Sequence, residues 1–182
     1  MTADAHARGS VPAWRARGAF EVGDHGVYPS QGAGVVQERT TREVLGETHE
    51  YLKVVFVKGD MEVLVPLRRG EDVGLRHTIG PDEVERLFEA MAKADLNLPQ
   101  QWPPRYRVEQ EILGRGGAYE LARLIGVLAH RDLEKGLAAT EREVLDTAKS
   151  ALASELAIVG GTDLATALER LNAVVAERIG RD

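Results

Sequence analysis

Residues Phe20 to Val36 read FEVGDHGVYPSQGAGVV, and this stretch decides the fold. Tyr28-Pro29, followed by Gly32 and Gly34, breaks the backbone where a small, tightly curved sheet must turn. The same glycines do not form a phosphate-binding loop. They lack the GxxxxGK[ST] pattern and do not open a helix. The stretch therefore predicts a strand-rich module rather than a catalytic loop.

Strand signals continue downstream. Across His49 to Val57, Leu52, Val54 and Phe56 fall on one face, with Tyr51, Val55 and Val57 on the other. A period of two rich in β-branched and aromatic residues suits a strand buried on much of both faces. Lys58-Gly59-Asp60 predicts a turn into a second run, Met61 to Val65, which closes a hairpin. With Gly26–Tyr28 and Ala33–Arg39 added, about five short strands are expected. Strands this short usually close into a small barrel that hides their edges.

From Gly80 the period changes. Pro81, Asp82 and Glu83 suit a helix start, and Val84, Leu87, Phe88 and Met91 recur at helical spacing. Leu98-Pro99 and Pro103-Pro104 bracket a stiff connector. Four further helices are expected: Pro103 or Pro104 to Leu113, Tyr119 to Lys135, a fourth opened by a Thr140/Glu143 capping box and running to Val159, and a last one capped by Thr162. The fold class is thus α+β in two domains. A flexible tail is expected at 1–18, a β-barrel at 19–68, a linker at 69–79 and an all-α bundle of about five helices at 80–182. Trp14 lies in the tail.

Composition narrows the function. The chain has 182 residues, 43% of them hydrophobic, which is enough for a core. It contains no cysteine, which excludes disulfides, thiol catalysis and thiolate metal sites and fits a reducing compartment. No apolar run approaches the roughly 18 residues of a membrane span, and the N-terminus shows no apolar signal core. The five histidines do not pair at metal-ligand spacing. No nucleophile, base and orienting group come together, so neither an enzyme nor a cofactor is expected. The net charge of −6 argues against gripping free duplex DNA by charge alone, because such binding rests on phosphate neutralisation.

Two features remain. Trp102 precedes Pro103, and a residue before proline is held extended. The indole could pack as a staple on the following helix. Arg105 and Arg107, however, stand in that helix's first turn, where the helix dipole favours anions. Helix-start amides with arginines suit phosphate, and an apolar wedge beside such arginines is how minor-groove binders distort DNA. Arg115, Arg123, Arg131 and Lys135 could extend a basic strip, diluted by Glu109, Glu111 and Glu120. The second feature is Leu64, which shares a face with Glu62 and could meet Arg42 and Val44 from the segment joining two strands. A mix of apolar and arginine side chains suits a protein-binding patch. Filling the barrel's second face is the other reading of Leu64.

These residues carry a family likeness. Phe20-x-Val22-Gly23-Asp24 with Val27-Tyr28-Pro29-x-x-Gly32 resembles the opening of the CarD-like family (CarD and CdnL) of bacterial RNA polymerase-binding transcription regulators. Val65-Pro66, Val73-Gly74-Leu75-Arg76, Trp102-x-x-Arg105-Tyr106-Arg107 and Leu133-x-x-Gly136-Leu137 are similar to it in order and spacing. The resemblance implies an N-terminal Tudor-like (SH3-like) barrel that binds the RNA polymerase β subunit. It also implies a helical domain that reaches the upstream edge of the melted promoter. Carried over, Trp102 is a minor-groove wedge, and Arg105 and Arg107 are phosphate contacts. Arg42, Val44, Leu64 and Pro66 are polymerase-facing. A cytoplasmic monomer with no membrane contact and no metal is implied. Some members carry arginine at the positions of Leu64 and Pro104, and most begin near Phe20. The alternative is an adaptor that uses the barrel alone and leaves DNA untouched.

Overall fold

The computed structural model describes residues 20–29, 31–67 and 75–180. The expected tail with Trp14, and residues 69–74 of the expected linker, lie outside the described residues. Five strands come first: β1 His25–Tyr28, β2 Gly32–Val44, β3 Glu47–Phe56, β4 Glu62–Pro66 and β5 Arg76–His77. They form one antiparallel sheet in the order β4-β3-β2-β1-β5. The order is open rather than closed into a ring, because β4 and β5 lie at opposite ends of it. The part of the linker at Arg76–His77 is therefore a strand that completes the sheet.

Alternation places Leu52, Val54 and Phe56 inward as expected, with Phe20, Val36, Val65 and Leu75 around them. Gly32, with φ of +83°, makes the turn from β1. Gly34 lies within β2, opposite Phe56, rather than in a turn. The β2–β3 hairpin is longer than its sequence suggests. Arg42 and Val44 are strand residues of β2, paired with His49 and Glu47, not part of a connecting segment.

The helical half follows. A 3-10 turn at Pro81–Glu83 leads into α1 Val84–Lys93, then α2 Pro104–Arg115, α3 Ala118–Lys135, α4 Ala139–Gly160 and α5 Leu164–Ile179. α3 is the central helix: Leu121, Leu124, Ile125 and Leu128 are fully enclosed. Each such side chain stabilises the fold by roughly 1.5–3 kcal/mol relative to exposure. α1 lies close against α3 because Gly126 has no Cβ; one built there would run into the Met91 carbonyl oxygen. The caps differ from expectation by one or two residues. Glu141, not Glu143, returns its carboxylate to the Ala138 N–H at 3.2 Å. Asp163, not Thr162, caps α5 by accepting from the Thr166 N–H at 2.7 Å. No single helix among the described residues is long and apolar enough to cross a membrane.

The two cores are distinct clusters, but α4 joins them by packing on β2. The Ala33 N–H donates to Ser154 Oγ at 3.0 Å across this seam. Arg76 of β5 grips Glu155 of α4 through two hydrogen bonds of 2.8 and 2.6 Å. It also donates to the Gly116 carbonyl at 3.1 and 2.7 Å. Glu155 is only 1% exposed and also accepts from the Ile79 N–H at 2.8 Å. A two-pronged arginine–carboxylate pair fixes orientation as well as distance.

Candidate nucleic-acid and protein interfaces

α1 ends at Ala94, whose φ of +48° turns the chain out of the helix. The connector that follows carries Trp102 to the threshold of α2, through a cis peptide bond to Pro103. Trp102 is 43% exposed. It is therefore neither sealed in the bundle nor unsupported. Tyr106, one turn into α2, meets it ring to ring at 4.7 Å with a 43° tilt. The Arg105 guanidinium lies over the indole, 5.8 Å from the ring centroid.

Arg105 and Arg107 part company. Arg107 is exposed, and its side chain makes no hydrogen bond or ion pair to the described residues. Arg105 is 7% exposed, and its fork turns inward. It donates to the Gln100 carbonyl and to Glu141 Oε1, each at 2.8 Å. Two of its five N–H groups are thus held by an internal carbonyl and an internal carboxylate, and its Nε has no hydrogen-bond acceptor among the described residues. Helical phase is the reason that the fork turns inward. Arg105, Glu109 and Ile112 are four and then three residues apart, so they share the buried stripe of α2. Arg107 lies two residues, about 200°, round from Arg105. That spacing was the signal that could have separated the two.

A small ionic cluster surrounds Arg105. Glu141 of α4 receives Arg105 from α2 and Arg131 from α3, the latter at 3.0 Å. Glu109 is fully buried beside them, 3.7 Å from Arg105 Nε, and neither of its oxygens has a hydrogen-bond donor among the described residues. Burial pushes its carboxyl above the usual range. Arg105 and Arg131 oppose that shift, and the neighbouring charge of Glu141 adds to it.

The wider basic strip is mostly neutralised. Arg115 pairs with Glu120 and Arg123 with Asp95, each at 3.1 Å, and Arg131 belongs to the internal cluster. Lys135 is exposed. No group of three or more metal-ligating side chains occurs among the described residues.

On the sheet, register assembles the second candidate site. Arg42 pairs with His49, Val44 with Glu47, Leu64 with Lys53 and Pro66 with Tyr51. Residues 47, 49, 51 and 53 alternate along β3, so all four candidate residues share its outward face, opposite Leu52, Val54 and Phe56. A β-bulge makes this possible. The β2–β3 register slips between Val36 and Glu38. Val36 faces the core before the slip, whereas Thr40, Arg42 and Val44 face out after it. Val44 is exposed, and Leu64 is half-buried beside the Lys53–Glu62 ion pair of 3.1 Å. β4 ends the sheet order, so among the described residues Leu64 and Pro66 lie on a free edge.

The molecule thus has two parts, a five-stranded sheet joined to a helical bundle that presents a supported indole. Comparison with known families places it more narrowly. Residues 20–79 match the CarD-like/TRCF RID domain, and residues 86–172 match the CarD C-terminal domain. The "Putative transcription factor YdeB" of Bacillus subtilis (strain 168) is 26% identical over 142 residues, covering 78% of this chain and 93% of that protein. The chain belongs to the CarD-like family of transcription regulators.

Proposed function

We propose that this protein binds the β subunit of RNA polymerase through the outward face and free edge of its sheet, and stabilises the open promoter by inserting Trp102 at the upstream edge of the bubble. The half-exposed indole carries the reading. Its ring is held by Tyr106 and Arg105 yet remains open to solvent. Arg107 on the solvent side of α2 is the phosphate contact. Arg42, Val44, Leu64 and Pro66 form the polymerase-facing patch. A free sheet edge suits strand addition by a partner, with alternate side chains supplying specificity. The protein acts in the cytoplasm as a monomer.

The net charge of −6 is consistent with this arrangement. Tethering to polymerase raises the effective concentration at the promoter, so the chain needs little charge-driven DNA affinity of its own. The indole then opposes only the restacking of one base step, a matter of a few kcal/mol. The adaptor reading, with no DNA contact, draws on the inward turn of Arg105 and the neutralised strip.

Open-complex lifetime under heparin challenge separates the two. Trp102→Ala should shorten it by roughly tenfold, the equivalent of about 1.4 kcal/mol, with polymerase binding unchanged. A wild-type lifetime in that variant would leave the adaptor reading standing.

A further inference from the structure

We propose that Glu141 is the positioning residue for Trp102, acting through Arg105. The inference rests on the wedge reading above and extends it to a residue on another helix, distant in sequence. Two groups are placed against the Trp102 ring: the Tyr106 ring at 4.7 Å and the Arg105 guanidinium at 5.8 Å. Tyr106 is itself exposed and cannot immobilise the indole alone. Arg105 can, because its own fork is fixed at both ends. One prong holds the Gln100 carbonyl, two residues before the indole, and the other holds Glu141.

Glu141 suits the task of anchor. It is almost completely buried; its carboxylate accepts hydrogen bonds from Arg105 and from the Ala138 N–H that opens α4, and forms an ion pair with Arg131 Nε at 3.0 Å. It therefore ties α2, α3 and α4 together at the arginine that lies over the indole. Glu109 does not duplicate it. Its carboxyl lies 3.7 Å from Arg105 Nε, beyond hydrogen-bond reach, and makes no donor contact. Without the Glu141 carboxylate the guanidinium keeps only the Gln100 carbonyl. The connector and the ring are then free to swing together.

The test reads the indole itself. Trp14 and Trp102 are the only tryptophans, so Trp14→Phe leaves Trp102 as sole reporter. On that background in the full chain, Glu141→Gln should lower the fluorescence anisotropy of the indole and weaken its near-ultraviolet dichroism, with far-ultraviolet dichroism unchanged. Glu155→Gln is the control. It also removes a buried carboxylate from α4, but one tied to the sheet rather than to Trp102. If Glu141→Gln moves the indole signals no more than Glu155→Gln does, the proposal is overturned. Should Glu141→Gln fail to fold, Arg105→Met takes its place, and an unmoved indole there overturns the route through Arg105.

Function gives the second readout. Glu141→Gln should shorten open-complex lifetime by roughly threefold, less than Trp102→Ala does, and add nothing in the double variant. A further loss in the double variant would mean that Glu141 acts elsewhere. The spectra need no polymerase, so failure of the wedge reading, seen as no effect of Trp102→Ala, is distinguishable from failure of the positioning role.

Discussion

At the scale of single residues, the molecule places a carboxyl where none is comfortable. Glu109 is enclosed on every side, faced by Arg105 of α2, Arg131 of α3 and Glu141 of α4. Its raised pKa means that the fold favours the protonated form. The stabilising contribution is complete below the ordinary value of 4.5 and is lost as pH rises through the raised value in the folded state. Glu109→Gln removes that liability. We expect the variant to gain on the wild type as pH rises from 4.5 through the raised value, by about 1.4 kcal/mol for each unit of the upward shift. Urea unfolding at several pH values reads the gap directly. A gap that stays constant with pH would show that Glu109 titrates as an ordinary carboxylate. Arg105 teaches a related lesson about legibility. Its type and its place in a first turn suggested phosphate, but helical phase assigns it to Glu141. Its partner lies 36 residues away, a distance that no local pattern reveals. The exposure of Trp102 was open for the same reason: proline fixes the backbone before it, not what packs on the ring.

At the scale of elements, what was legible was whatever repeats. The period of two in β3 and the helical stripes of α1 and α3 located those elements and their buried faces. The β-bulge was not legible. Nothing in the run around Gln37 announces that one residue will be left out of register, because a bulge is a property of two strands rather than one. Yet the bulge decides which way Arg42 and Val44 point. Deletion of Gln37 should restore continuous alternation and turn both side chains to the opposite face of the hairpin. Since the β3–β4 pairing does not depend on that residue, the sheet should persist by circular dichroism. Binding to the isolated polymerase β fragment should fall by at least about tenfold, the loss expected when anchor residues leave an interface. Undiminished binding would show that the far half of β2 takes no part. The misread hairpin length has the same origin. Residues Thr41 to Glu50 are mostly exposed and polar, so their strand character rests on cross-strand pairing rather than burial.

At the scale of the whole molecule, the seam between sheet and bundle governs behaviour. It was invisible in the sequence, where Arg76 fell in a presumed linker and Glu155 in the middle of a helix. Arg76→Met would leave Glu155 buried with only the Ile79 N–H, a change of roughly 3–5 kcal/mol for a broken internal ion pair. We expect calorimetry to resolve two unfolding transitions in that variant instead of one, and X-ray scattering to report a larger radius of gyration. One unshifted transition would mean that the seam is held by other contacts. The seam also sets a measure. With Arg76 and Ser154 locking the halves together, the separation between the outward face of the sheet and the indole is a constant of the protein, like the opening of a set callipers. Successive base steps lie about 3.4 Å apart along a strand. On the proposed reading, a bubble whose upstream border sits one step out of place lies beyond the reach of the ring, so the promoters served are chosen by geometry rather than by letters.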